Sequence, residues 1–538
     1  MRLTLARGAE GDDRVLRMPP SVAIHCAHTL SGVTSDGRRG ATVAYGVLAG
    51  LVVMGATVAT LHGEWVSDSW IHLAAIHEMS RDFWSPVEPL VGENVPFPYF
   101  SPWTAVGALA VRALSVAPQN VLAVFGIVSP LLLVHALFRL TRAVSPAPWA
   151  PVAVLAAFLT VWGSKVFFWS GFLSLTTLVV GSSWPSVLAT ALWFYLWASV
   201  WTSTRMTRGL VAALVIIPGL LLLIHPFTFI SAATACAVTV LLRWPRRRWL
   251  GGTLAALASV GLAALWPWTS LLDLLSNPRG FDAFHTFFYR DIFAKFGLLL
   301  LTVPAVALRL WRRRSDALAW SAIAGVGIWV AGGLLDVESL GRVLPLATTA
   351  ATMALGIGAA EAFHREGATP AESARRDRAL LPRVALVSTW ILAVGLGSLT
   401  QANAWSRVTF DEEARRNPDD GNHVVAPYPD VDTLWSRIPQ GAVVIAQDWR
   451  VARQLPARGL FTVAPQWPSP GVEDAVERSE DQAAILNARS SPEVRDELLT
   501  RYGVAWIVWP TAKKLPAWLS GLGVPVDREH GQMLYELH

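Results

Sequence analysis

The chain has 538 residues, of which 53% are hydrophobic and 15% charged, and a formal net charge of +5. Soluble domains carry about 25% charged residues; here uncharged runs of roughly 20 residues recur, each long enough to cross a ~30 Å hydrocarbon core, which excludes an ordinary soluble globule. The basic residues fall in short clusters between apolar runs rather than in one patch, which excludes a nucleic-acid-binding face and any nucleic-acid partner.

Residues 1–40 are polar and Gly-rich and lack the basic-then-apolar order of a cleaved signal peptide, so they are expected as a disordered cytoplasmic tail. Cys26 and Cys236 have neither a disulfide framework nor metal-ligand spacing. Between 41 and 400 the apolar periodicity predicts an all-α polytopic membrane domain of about thirteen transmembrane helices. They are expected near 43–61, 102–117, 120–138, 147–163, 166–182, 184–201, 209–224, 227–242, 249–271, 291–310, 317–335, 343–362 and 384–400.

Arginine sets the orientation. Arg38 with Arg39, Arg205 with Arg208, "RWPRRR" at 243–248, "RLWRRR" at 309–314 and the Arg-rich 365–383 segment share one side if the helices alternate. That side is expected to be the cytoplasm. "FRLTR" at 138–142 falls on the opposite side, against the trend. The extracytoplasmic face then holds the 62–101 loop, the 272–290 loop, the turn from Asp336 to Arg342, and everything after 400.

Within the first of these loops, "GEWVSDSWIHLAAIHEMSRDFWSP" crowds ionisable groups directly behind an apolar run. As a helix over 66–82 lying along the membrane surface, it would stack Trp65, Asp68 and His72 on one face. Glu78 and Asp82 fall one turn apart, at an end expected to be solvated. Trp65, Trp70, Phe83 and Trp84 suit the membrane interface. A carboxylate at Asp68 could act as a general base or hold a divalent cation, and His72 could orient it or bind phosphate. Glu78 is a further candidate for contacting substrate. In "DVESLGRVLP", Arg342 at a membrane boundary suits a phosphate partner; pairing with Asp336 or Glu338 is the competing reading. His225 in "LLLIHPFTF" sits at membrane depth beside a helix-breaking Pro226, either as a binding residue or as a satisfied neutral imidazole. The segment "NPRGFDAFHTFFYRD" at 277–291, with Arg279, Asp282, His285, Arg290 and Asp291, is expected as an amphipathic surface segment lining a lipid or sugar cleft, without direct chemistry.

Past 400 the composition changes. "GAVVIAQDW" reads as a strand, and "SPEVRDELLTRYGVAWIVWP" as a helix capped by Ser491, then Gly503, then a strand at 504–509. Residues 401–538 are therefore expected as a small extracytoplasmic α/β domain. There is no P-loop, GxSxG, HExxH or CxxC, which argues against ATP hydrolysis.

Taken together, "GEWVSDSWIH", "PVEPLVGENVPFPYFSPWTAVGALAVRAL", "WSGFLSLTTLVVGSSWPSVLATAL", "HPFT", "GRVLP" and the tail "VVIAQDWRVARQLPARGLFTV" with "LLTRYGVAWIVWP" resemble the GT-C superfamily of integral membrane glycosyltransferases. The resemblance implies many membrane helices, a helical juxtamembrane loop and an outer soluble domain. It implies that Asp68 is the base or metal contact and that Arg342 neutralises a polyprenyl-phosphate sugar donor. The layout is similar to oligosaccharyltransferase catalytic subunits, but their Trp-Trp-Asp acceptor motif is absent from 401–538. The tandem acidic pair of protein O-mannosyltransferases is missing too, because Ser69 follows Asp68.

The expected function is sugar transfer to a glycan, lipid or protein acceptor of the cell envelope. Asp68 and His72 would be catalytic, Arg342, Glu78 and His225 substrate-binding, membrane lipid a partner, and a divalent cation the one cofactor that the pattern admits. A non-catalytic scaffold or lipid-linked-glycan transporter on the same fold is the alternative.

Overall fold

The computed structural model describes residues 20–62, 65–270, 285–363, 380–406 and 428–538. Residues 1–19 of the expected tail, most of the 272–290 loop, most of the Arg-rich 365–383 segment and residues 407–427 lie outside the described residues.

The first helix, α1 (Pro20–Leu61), takes in part of the expected tail. A short connection leads to α2 (Ser69–Arg81), and a Pro-rich loop leads to α3 (Pro102–Leu114) and α4 (Pro118–Val144). Then come α5 (Ala150–Thr160), α6 (Leu175–Val180), α7 (Pro185–Thr202), α8 (Arg208–Ile224), α9 (Pro226–Arg243) and α10 (Trp249–Ala264). The membrane domain ends with α11 (Ile292–Phe296), α12 (Val303–Arg312), α13 (Ala317–Leu334), α14 (Leu344–Phe363) and α15 (Leu380–Ser406). Proline opens α3, α4, α7 and α9, where its missing N–H costs nothing. Ser101 and Thr104 form a reciprocal capping box on α3.

Among the described residues, seven helical stretches are long and apolar enough to cross a bilayer: Gly37–Leu61, Pro118–Val144, Pro226–Arg243, Ile292–Arg312, Ala317–Leu334, Glu338–Ala362 and Pro382–Ala402. The chain is a multi-pass membrane protein. The Glu338–Ala362 stretch is 83% buried and forms the centre, with Leu346, Met353, Leu355 and Ile357 fully enclosed.

Of the thirteen expected crossings, those near 147–163, 184–201, 209–224 and 249–271 form helices (α5, α7, α8 and α10) outside these seven stretches, and two more are corrected. The helix predicted near 102–117 is only the 13-residue α3, about 20 Å long. It lies alongside α2: Trp103 packs on His72 at 5.3 Å, and Arg112 Nη1 donates to Ser80 O at 3.4 Å. The helix predicted near 166–182 is extended chain ending in the six-residue α6. The backbone just before it finds partners in α11 and the 3-10 turn that follows α11. Lys165 N donates to Ala294 O at 2.9 Å, and Leu298 N donates to Trp162 O at 3.0 Å. Irregular backbone at membrane depth persists where protein satisfies it in this way.

These corrections remove the anomaly of "FRLTR". With α3 lying beside α2, α4 runs antiparallel to α1. Thr60 sits against Gly126 near the start of α4, while Tyr45 packs on Phe138 near its end at 5.0 Å. Arg139 and Arg142 therefore lie at the same end as Arg38 and Arg39.

The C-terminal region is a small α/β unit. β1 (Val443–Ala446) pairs in parallel with β2 (Val504–Pro510), which pairs antiparallel with β4 (Gln532–Leu537), and β4 with β3 (Gly523–Glu529). The helices are α16 (Asp432–Trp435), α17 (Trp449–Gln454), α18 (Ala475–Leu486), α19 (Pro492–Tyr502) and α20 (Ala517–Leu522). Ser491 caps α19 by accepting from Val494 N at 3.3 Å, and Gly503 closes it at φ 60°.

This unit docks on the 86–101 loop. Thr462 donates twice to Leu90 O, through its N at 2.7 Å and its Oγ1 at 2.9 Å. Ser469 Oγ donates to Glu88 Oε1 at 2.9 Å, and Arg478 pairs with Glu93. Gly92 adopts φ +80°, and a Cβ there would fall 2.8 Å from the Phe461 ring. Docking buries α2, which was expected on the membrane surface with a solvated end: ten of its residues are enclosed. Glu78 is only 3% exposed, accepting from Arg81 at 2.9 Å and from Val87 N at 3.3 Å.

Candidate active site

A cavity of about 300 Å³ lies where the start of α2, the α8–α9 break and the α13–α14 turn converge. Asp68, His72, His225 and Arg342, singled out from four separated sequence positions, all line it. Glu78 does not; its carboxylate is committed to Arg81 and Val87.

Backbone geometry delivers Asp68. Ser67 sits at φ 46°, a left-handed conformation that non-Gly residues rarely adopt, and turns the chain into α2. Asp68 is the N-cap of α2 but makes no side-chain capping bond, so its carboxylate is left to face the cavity. Burial pushes this carboxyl above its ordinary range, opposed by the Arg342 and Arg453 guanidiniums and by the Ser67 hydroxyl.

Arg342 is buried on the opposite wall, its guanidinium over the Phe227 ring at 4.6 Å and near Phe288 at 5.7 Å. The proposed pairing with Asp336 or Glu338 is not made, and Arg342 has no ion pair among the described residues. Its Nη2 donates to His225 Nε2 at 3.2 Å. Asp68 and Arg342 thus face each other across the cavity as opposite charges without touching.

His225 bridges two helices. Its Nδ1 lies 2.8 Å from Thr228 Oγ1 in the first turn of α9, with Thr228 N 3.2 Å away. Its Nε2 faces Arg342 and, at 3.3 Å, Ser170 Oγ. Arg342 can only donate, so Nε2 is the acceptor, which excludes an imidazolium; the neutral ring then carries its proton on Nδ1, toward Thr228 Oγ1. His72 makes no hydrogen bond to the Asp68 carboxylate. Its ring meets Tyr99 and Trp103 edge-on at 5.5 and 5.3 Å, its Nδ1 has no hydrogen-bond partner, and burial lowers its pKa to about 3.

Several residues join the site without having been singled out. Tyr99 and Ser170 line the cavity, and Phe288, from the segment expected to carry no chemistry, forms the shelf under Arg342. His285 is buried between Phe227 and Phe288, with ring centroids at 5.3 and 5.6 Å. From the C-terminal unit, Arg453 lies between the Trp449 and Trp467 rings, at 5.0 and 4.8 Å, and its charge acts on Asp68. Tyr428 sits beside both. A Pro-rich loop around Tyr99 was the only visible signal; Arg453 depends wholly on domain docking.

The donor set fits a divalent cation poorly. No three His, Cys, Asp or Glu side chains converge among the described residues, and Asp68 is the only carboxylate lining the cavity. Magnesium and calcium need more oxygen ligands than this. The positive charge here comes from Arg342 and Arg453.

Beyond Asp68 and Arg342 the wall turns apolar, through Leu223, Ile224, Pro226, Ile230 and Leu340. Such a cavity can hold an anionic head beside a hydrocarbon chain.

No protein-family model and no curated protein sequence matches the chain. Solved structures do. The chain matches ArnT from Cupriavidus metallidurans in the apo state with a TM-score of 0.52 and 14% identity, over 92% of this chain and 98% of that one. It matches the same protein bound to undecaprenyl phosphate at 0.50 and 12%, over the same shares. Against the arabinofuranosyltransferase AftD from Mycobacteria the values are 0.51 and 13%, over 93% of this chain but 40% of that one. The fold is that of the GT-C integral membrane glycosyltransferases.

Proposed function

We propose that this protein is a membrane glycosyltransferase that moves a sugar from a polyprenyl-phosphate-linked donor to a glycan, lipid or protein acceptor of the cell envelope. The carrying observation is that Asp68 and Arg342 face one cavity from opposite walls, with an apolar flank beside them. The fold supports the same reading.

In this reading the donor phosphate lies against Arg342, whose guanidinium can give two parallel hydrogen bonds to phosphate oxygens. Neutral His225 orients that guanidinium through its Nε2. The acceptor hydroxyl attacks the anomeric carbon, and its proton passes to Asp68. The anomeric carbon–oxygen bond breaks, and the electron pair leaves with the polyprenyl phosphate, whose charge Arg342 balances. Positioning and charge neutralisation supply most of the rate. His72 lines the cavity without a hydrogen bond to Asp68, so in this reading it shapes the substrate pocket rather than orienting Asp68.

The reaction would take place on the extracytoplasmic face. Support comes from the Arg-rich turns at 205–208, 243–248 and 309–314, which connectivity puts at the helix ends remote from the cavity. The C-terminal unit would then be extracytoplasmic and the N-terminus cytoplasmic.

A transporter or scaffold gives no reason for an uncapped buried carboxylate opposite a buried guanidinium, so the enzyme reading is preferred. Mass analysis of lipid-linked sugars and envelope glycans, in cells with and without the protein, tests it. A lipid-linked sugar should accumulate and one glycan substituent should vanish in its absence; unchanged profiles would reject the proposal.

A further inference from the structure

A second groove, of about 610 Å³, opens beside the active-site cavity. Trp84, Trp266 and Trp268 form its aromatic side, and Ser85, Asn94 and Thr269 its polar side. Thr269 lines both hollows, so the groove adjoins the cavity that holds Asp68.

The platform is held in place. Trp266 Nε1 donates to Phe100 O at 2.7 Å, and Thr269 Oγ1 donates to Phe97 O at 3.0 Å. Trp268 packs edge-on to Trp266 at 4.9 Å and to Phe83 at 5.0 Å, and Trp84 stacks near it at 6.4 Å. Asp82 accepts from the backbone of Trp84 and Ser85, at 3.2 and 3.0 Å, and thereby presents Trp84 outward, 81% exposed.

Isolated tryptophans at a membrane boundary usually serve as an interfacial belt. These rings instead pack on one another around a hollow of ligand size that hydroxyl and amide groups also line. Rigid indole faces give large contact area at little entropic cost. Flat apolar ring faces opposed by hydrogen-bonding groups match the two surfaces of a sugar ring.

We propose that this groove is a saccharide-binding subsite, holding sugar units of the acceptor glycan next to the residue that Asp68 activates. This rests on the transferase reading and narrows the acceptor to a glycan at least several sugars long.

The test measures binding rather than transfer, so that the two readings can fail separately. The full chain in phosphatidylglycerol nanodiscs is probed by saturation-transfer NMR with maltotetraose, cellotetraose, mannotetraose and arabinotetraose, and with the four monosaccharides. At least one tetrasaccharide should bind, and its monosaccharide at least about tenfold more weakly. The double variant Trp84→Ala, Trp268→Ala should weaken tetrasaccharide binding by about tenfold or more, on the scale of one or two aromatic contacts. Trp84→Phe with Trp268→Phe should retain most of it. Binding by none of the four, or binding indifferent to Trp84 and Trp268, overturns the proposal.

Discussion

Arg342 Nη2 lies 3.2 Å from His225 Nε2, joining the α13–α14 turn to the break between α8 and α9. A neutral imidazole thus holds a buried guanidinium that has no acidic partner among the described residues, and leaves its remaining donors for an incoming anion. Arg342→Lys keeps the charge but loses the planar fork. Transfer should fall at least about tenfold, and Arg342→Gln should fall by roughly 10²–10³. Activity of Arg342→Gln near the parent value, in membranes with matched protein levels, would remove Arg342 from the reaction. His225→Ala should also cost about 1 kcal/mol of stability through the lost hydrogen bond to Thr228 Oγ1, read as a lower Tm.

Asp68 gives the reaction a definite pH dependence. A base works in its ionised form, so transfer rises with pH through the Asp68 pKa. Burial places that pKa above the ordinary carboxylate value of about 3.9. The acidic limb of kcat/KM should lie above that value. Arg453 favours the carboxylate, so Arg453→Gln should move the limb to still higher pH. A limb that stays in place in Arg453→Gln would show that the C-terminal unit does not act on the base. His72, lowered to about 3, should contribute no limb near neutrality.

Glu88 makes domain docking sensitive to pH. Burial raises its carboxyl to about 7 from an ordinary 4.5, against hydrogen bonds from Val91 N, Ser469 and Leu90 N. The folded state therefore binds the proton more tightly than the unfolded chain. Its stabilising contribution is fully present below about pH 4.5 and is lost as pH rises through about 7. Hydrogen exchange of the 86–101 loop should accelerate over that interval, and Glu88→Gln should flatten the dependence. Equal slopes in parent and variant would contradict it.

Gly92→Ala should loosen the same interface. Its φ of +80° disfavours any side chain, and the added Cβ would meet Phe461 at 2.8 Å. A loss of about 2 kcal/mol or more follows from strain and overpacking together. Thermal unfolding measures it, and an unchanged Tm would mean that the loop can shift freely off Phe461.

Much of this was legible in the residues. Ser491, Pro492 and Gly503 marked the ends of α19, and the strand after it lies over Val504–Pro510. Asp68, His72, His225 and Arg342 were visible as ionisable groups beside long apolar runs, where such groups rarely stand without a partner or a task. Periodicity failed where tertiary contacts replaced helical ones. Phe167, Phe172, Phe288 and Phe296 build one aromatic cluster from two segments more than a hundred residues apart, and no local pattern announces that pairing. Glu78 looked solvated because its cover comes from distant parts of the chain. For the same reason Arg453, about 385 residues after Asp68, had no sequence signal linking the two.

The central claim is that Asp68 takes the acceptor proton opposite a phosphate held by Arg342. Radiolabelled sugar transfer from polyprenyl-phosphate donors, in membranes carrying Asp68→Asn at parental protein levels, tests it most directly. Asparagine keeps the size and shape of the side chain but cannot accept the proton. The account predicts that transfer falls by roughly 10²–10⁴, the usual contribution of a positioned base, while Tm stays near the parent value. Transfer undiminished in Asp68→Asn would contradict it.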